Sequence, residues 1–262
     1  MATSLQTDTT TRLPDRFAGT PLASRLRALG AAAALLVLGT LAAPLVSGGV
    51  GLLADALGHG DDLVRTYAVS GTLATLSLAA IALAYRRVRP LPMPVRVPDG
   101  REWPWVVVGI LAPLLGAVVL QLGAAALGVG AGETATSGIG RFAATNPVLF
   151  YSLAILSALF VVAPAEELLY RGVVQGRLRE EFGPAVAIGL TSLGFGAGHV
   201  FSYVVGGSDP LSGAVAIALA TIVLGGVVLG VLYERTGNLG VTIVAHGLSN
   251  ALVLTVSLAA VL

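Results

Sequence analysis

The chain has 262 residues, 55% of them hydrophobic and 11% charged, against roughly 25% charged in a soluble domain. A chain this apolar cannot cover its surface in water, which excludes a soluble globular protein and leaves a polytopic membrane protein with lipid as its solvent. Its 15 basic residues, all arginine, and 14 acidic residues give a formal net charge of +1 and no case for a nucleic-acid partner; with no cysteine, disulfides, thiolate catalysis and Cys-based zinc sites are excluded.

The first 22 residues, rich in Thr, Ser and Asp, read as a disordered cytosolic tail. Seven apolar runs follow, long enough to predict spanning helices: Ala28–Leu53, Tyr67–Tyr85, Trp105–Val129, Pro147–Val162, Ala185–Val205, Leu211–Tyr233 and Leu239–Leu262. The first, preceded by Arg25 and Arg27, is too long for the apolar part of a secretory signal and reads as a retained helix. Ala131–Asn146, with its Gly, Thr and Ser, reads as an external loop. The fourth run is short, so its helix is expected to continue into Pro164 and beyond; Arg177, Arg179, Glu180 and Glu181 before Gly183-Pro184 read as a polar helix end and its stop. Gly194 with Gly198, and Gly226 with Gly230, have the small-xxx-small spacing of close helix packing in lipid. The predicted fold is an all-α integral membrane bundle of about seven spans: a tail in 1–22, three membrane helices in 23–146 and the chemistry-bearing helical core in 147–262.

Arginines favour the cytosolic side during insertion. With the N-terminus inside, 13 of the 15 are cytosolic and only Arg65 and Arg141 face out. This predicts a cytosolic N-terminus and an external C-terminus, with Tyr67, Tyr85, Trp103, Trp105 and Tyr233 as aromatic anchors at span ends.

Ionisable residues within spans are costly and therefore informative. Glu166-Glu167 is followed by Arg171, Phe195 by His199, and His246 by Asn250. Glu167 and Arg171 stand four apart with the acid first, the favourable order for an ion pair on one helix face. Glu166 lies about 100° round the helix and need not share that arginine. A carboxylate without its own cation in a poorly hydrated site can serve as a general base. His246 and Asn250 also share a face, as donors to a developing oxyanion. Plainer readings exist for each: charges reappearing at a helix end, a structural ion pair, a core histidine, interhelical glue, and packing for Phe195. His59, in Gly58-His59-Gly60-Asp61-Asp62, reads as a solvated turn.

In consecutive order on polytopic helices, Glu166-Glu167-x-x-x-Arg171, Phe195-x-x-x-His199 and His246-x-x-x-Asn250 resemble the motifs of the CPBP family, also called the Abi or type II CAAX prenyl endopeptidase family, of intramembrane proteases. The resemblance covers about the C-terminal half. It implies peptide-bond hydrolysis in a helical cavity open to the cytosolic side, in a multi-pass protein of the cell membrane. Glu166 and His199 would activate water, His246 and Asn250 would stabilise the oxyanion, and Glu167 and Arg171 would support the site as a pair. The substrate would be a peptide, a prenylated C-terminus or a membrane protein. The family is often labelled a metalloprotease, but there is no His-Glu-x-x-His helix, and Asn250 suits an oxyanion better than zinc. We favour no cofactor; a zinc held by His199, His246 and Glu166 is the alternative. The rival from another class is a catalytically silent scaffold, or a proton or solute transporter with a buried Glu/Arg/His site.

One expectation bears on depth. His246 lies about 10 Å in from Leu239, whereas His199 lies roughly 20 Å from Ala185. The two meet only if the fifth helix begins late or tilts, and Glu166 joins them only if the fourth helix runs past Val162 or kinks at Pro164.

Overall fold

The computed structural model describes residues 22–130, 135 and 139–262, without the side chains of 139–141. The predicted tail, with Arg12 and Arg16, lies outside the described residues apart from Leu22. Seven helices are long and apolar enough to cross a membrane: α1 Leu22–Ala56, α2 Leu63–Val88, α3 Trp103–Ala126, α5 Pro147–Arg179, α6 Pro184–Val205, α7 Gly213–Thr236 and α8 Leu239–Ala259. The protein is all-α and multi-pass. One reading needs correction: where Ala131–Asn146 was expected to be loop throughout, its described C-terminal part forms a short helix, α4, Ile139–Thr145. The stacking of Phe142 on Tyr67 of α2, with ring centroids 4.3 Å apart, gives that segment something to fold against.

The fourth span is the centre of the bundle. As expected it continues past Pro164, and it does so by widening. Pro164 has no N–H to give to the preceding turn, and the segment Ala158–Val162 is π-helical, with the Ala163 N–H bonded to Ala158 O five residues back. A second π-helical stretch covers Leu168–Gln175, closed by the Gly176 N–H on Arg171 O. In these wider turns, residues four apart stand more nearly above one another than in an α-helix. Between Leu169 and Leu178 the helix is buried almost all round, the signature of a core helix rather than a lipid-facing one. Leu169, Tyr170, Val173, Val174 and Leu178 pack with Leu35 of α1, Leu78 of α2 and Phe195 of α6.

α5 and α7 run parallel and are joined by three polar rungs at four-residue intervals. Arg171 Nη2 donates to Gly226 O at 3.2 Å, Gln175 Nε2 to Gly230 O at 3.1 Å, and Arg179 Nε to Glu234 Oε1 at 2.8 Å. The two glycines make these rungs feasible, because a Cβ on Gly230 would sit 3.0 Å from Gln175 Oε1 and one on Gly226 would sit 3.1 Å from Ser192 of α6. The small-xxx-small spacing therefore marks side-chain access to helix carbonyls as well as close packing.

Between α2 and α3 an extended strap, residues 89–102, closes one end of the bundle. Leu91 and Met93 point into the core. The Leu239 N–H donates to Pro94 O at 2.9 Å, the Arg96 N–H to Asn238 Oδ1 at 3.0 Å, and Asn238 Nδ2 to Glu102 Oε2 at 3.0 Å. Arginines gather at this end. Arg89 pairs with Glu180, Arg96 with Glu102 and Arg177 with Glu180, while Arg235 lies over Trp105.

Candidate active site

Glu167 is fully buried, and its Oε1 accepts two hydrogen bonds, from Arg171 Nη1 at 2.7 Å and from His246 Nδ1 at 2.9 Å. Arg171 is equally buried and lies over the Phe195 ring, its Cζ 4.9 Å from the centroid. A carboxylate acceptor fixes Nδ1 of His246 as the donor, and so fixes the ring and the direction of its other nitrogen. That nitrogen, Nε2, faces Glu166 Oε2 at 3.7 Å, outside hydrogen-bond reach but within ion-pair range. Glu166 keeps some exposure, 13% of its side chain. Of the two glutamates, Glu167 is the one paired with Arg171, and Glu166 lies on the Nε2 side of His246. The link from Glu167 to His246 was not legible in the spacing.

Phe195 is the ring around which the other parts gather. Its centroid lies 4.9 Å from that of Tyr170, 4.8 Å from that of His199 and 6.0 Å from that of His246, all three edge-to-face. It packs, as expected of it, and it spaces two imidazoles. At His199 the helix makes a tight turn, with the His199 N–H on Gly196 O, and the imidazole Nδ1 bonds Phe195 O at 2.8 Å. That bond leaves Nε2 of His199 as the nitrogen available to a ligand.

The motifs meet in the structure: His246 bonds Glu167, and the rings of His199 and His246 both lie against Phe195. Leu239, from which the depth of His246 is counted, is fully buried, with its N–H on Pro94 O of the strap.

Asn250, one turn beyond His246, lines a cavity of about 720 Å³ together with Tyr67, Gly71 and Thr75 of α2 and Phe150 and Ala154 of α5. The lining is mainly apolar with a few polar groups, and the volume falls in the range of small-molecule sites. The cavity lies toward the end of the bundle away from the strap, where Tyr67, Phe142 and Phe150 cluster. Asn250 makes no hydrogen bond to His199 or Glu166. Thr242, fully buried, precedes His246 by one turn, so Thr242, His246 and Asn250 form one polar stripe on α8. Among the described residues, no three His, Asp or Glu side chains are grouped as a metal-ligand set. His59, as expected, belongs to a turn: its N–H bonds Ala54 O at 2.8 Å.

A family model described as type II CAAX prenyl endopeptidase Rce1-like matches residues 148–252. That segment is Rce1-like. It contains Glu166, Glu167, Arg171, Phe195, His199, His246 and Asn250, the residues on which the sequence resembles that family. α1, α2 and α3 precede the Rce1-like segment, yet α2 supplies one wall of the cavity and the strap seals the base of α8. No curated protein and no solved structure matches the chain.

Proposed function

We propose that the protein is an intramembrane endopeptidase that hydrolyses peptide bonds with a side-chain-activated water, on substrates of the prenylated-CAAX kind. The observation that carries this reading is the arrangement of His246, fixed through Nδ1 by the buried Glu167–Arg171 pair and turned through Nε2 toward Glu166. In the proposed reaction Glu166 takes a proton from water as its oxygen attacks the scissile carbonyl, and His199 Nε2 orients that water. Nε2–H of the doubly protonated His246 and the Asn250 amide donate to the oxyanion. Collapse breaks the C–N bond, and the proton held by Glu166 passes to the departing amine. The apolar cavity that Asn250 lines takes the hydrophobic part of the substrate. These groups suffice for the reaction without a metal. The arginine-rich end is cytosolic, in a protein of the cell membrane.

The test is cleavage of a prenylated peptide by purified protein in liposomes, with and without a strong chelator. Turnover that survives the chelator and disappears in Glu166→Gln is expected. Stoichiometric zinc lost together with activity overturns the metal-free mechanism, and a wild type that cleaves no peptide leaves the scaffold or transporter reading.

A further inference from the structure

Tyr170 follows Glu166 by four residues on α5, as Arg171 follows Glu167, so two acid-led pairs run side by side. The second pair is closed by an ion pair. The first is open: Tyr170 is 4% exposed, and no hydrogen bond joins its hydroxyl to any described residue. The ring has a full packing partner in Phe195, at 4.9 Å and 80°, and a phenylalanine would make that contact equally well. The hydroxyl instead reaches over Gly198, the residue before His199. A Cβ on Gly198 would sit 3.1 Å from it, and 3.6 Å from the Thr40 hydroxyl of α1. The Glu166 carboxylate is close enough to act on it electrostatically. The hydroxyl is not among the fully enclosed side-chain atoms that lack a hydrogen-bond partner, so it keeps a small opening through which a water can reach it.

We infer that Tyr170 is a third hydrogen-bonding group for the attacking water, its hydroxyl completing with Glu166 and His199 the polar walls of the water's seat. This rests on the hydrolytic reading above and extends it to a residue outside the three motifs. The seat is built from two elements. α5 places Glu166 and Tyr170 one turn apart, and α6 places Gly198 under the hydroxyl and His199 beside it. Gly198 is small because the hydroxyl occupies the space that a side chain would take. No bond is made or broken at Tyr170; it holds the water while Glu166 takes the proton.

The decisive variant is Tyr170→Phe, which keeps the ring and its contact with Phe195. Expected is a fall in kcat of ten- to a hundredfold at unchanged KM, with a thermal midpoint close to that of the wild type, because the ring and its packing are kept. Gly198→Ala displaces the hydroxyl by a few tenths of an ångström and should give a smaller loss of kcat with the protein still folded. A Tyr170→Phe enzyme that cleaves within twofold of the wild type overturns the inference, as does one whose loss of activity tracks a lowered thermal midpoint, since the hydroxyl would then be structural. Glu166→Gln, run alongside, separates the two levels. If the wild type itself cleaves nothing, the hydrolytic reading falls and this inference with it. If the wild type cleaves, Glu166→Gln does not and Tyr170→Phe does, the role of Tyr170 alone is lost.

Discussion

His246 Nδ1 and Arg171 Nη1 converge on one oxygen, Glu167 Oε1, at 2.9 and 2.7 Å, while Oε2 of the same carboxylate, buried, has no hydrogen-bond partner among the described residues. A single carboxylate oxygen thereby ties the ion pair of α5 to the imidazole of α8. The arrangement makes the two adjacent glutamates unequal: Glu167 bonds Arg171 and His246 Nδ1, while Glu166 lies 3.7 Å from His246 Nε2 without a hydrogen bond to it.

Glu166→Gln keeps shape and removes the base, so it should abolish hydrolysis at a thermal midpoint close to that of the wild type. Glu167→Gln leaves Arg171 as a buried charge without a counter-ion and loosens His246. Breaking a buried pair in this way costs about 3–5 kcal/mol, so this variant should lose folded yield as well as activity. The measurement is thermal unfolding in detergent alongside peptide cleavage. Normal cleavage by Glu166→Gln with a dead but fully stable Glu167→Gln would reverse the assignment.

Topology follows from the arginine-rich end. The ion pairs Arg89–Glu180 and Arg177–Glu180 place the end of α2 and the end of α5 together, and Arg235 closes α7 at the same end. A reporter fused after Arg89 is expected in the cytosol and one fused after Leu262 outside. A cytosolic reporter at Leu262 would mean an inverted or miscounted bundle.

What the sequence made legible was whatever depended on composition and local spacing. Seven spans, the Glu167–Arg171 pair and the packing glycines all follow from hydropathy and from i,i+4 geometry. The Glu167–His246 bond was not legible, because it joins residues 79 apart and depends on how α5 and α8 face one another. The role of residues 89–102 was also hidden. Its prolines mark an extended segment, but nothing in Leu91-Pro92-Met93-Pro94 announces that it lies across the start of α8. Tyr170, outside the fixed positions of the motifs, occupies a variable place within Glu166-Glu167-x-x-x-Arg171 and so carried no signal.

The strap offers a test of its own. A Cβ on Gly240 would run into the carbonyl oxygen of Arg96, and that oxygen belongs to backbone, which cannot swing aside. Overpacking of this kind costs about 1–3 kcal/mol. Gly240→Ala should therefore lower the thermal midpoint and speed tryptic cleavage at Arg96, whose side chain is already 56% exposed. Gly48→Ala, on α1 with nothing within 4 Å of the added carbon, is the control and should change neither. Equal behaviour of the two variants would show that the strap does not press on α8.

The proposed place of the substrate's apolar part, the cavity between α2, α5 and α8, can be tested apart from the proposed chemistry at the peptide bond. Gly71 lines it, and a Cβ placed there meets no atom within 4 Å, so Gly71→Leu should fold normally while its side chain occupies part of the space. Glu166, His199 and His246 are not among the residues that line this cavity. A prenylated substrate should lose binding that is common to ground state and transition state, which appears as a raised KM at unchanged kcat. A tenfold rise would correspond to about 1.4 kcal/mol. A short peptide without the apolar tail, which gains nothing from the cavity, should be cleaved by Gly71→Leu at the wild-type rate. Equal losses on both substrates would mean that the cavity serves the scissile segment itself, and no loss on either would mean that the apolar tail lies elsewhere, in the surrounding lipid.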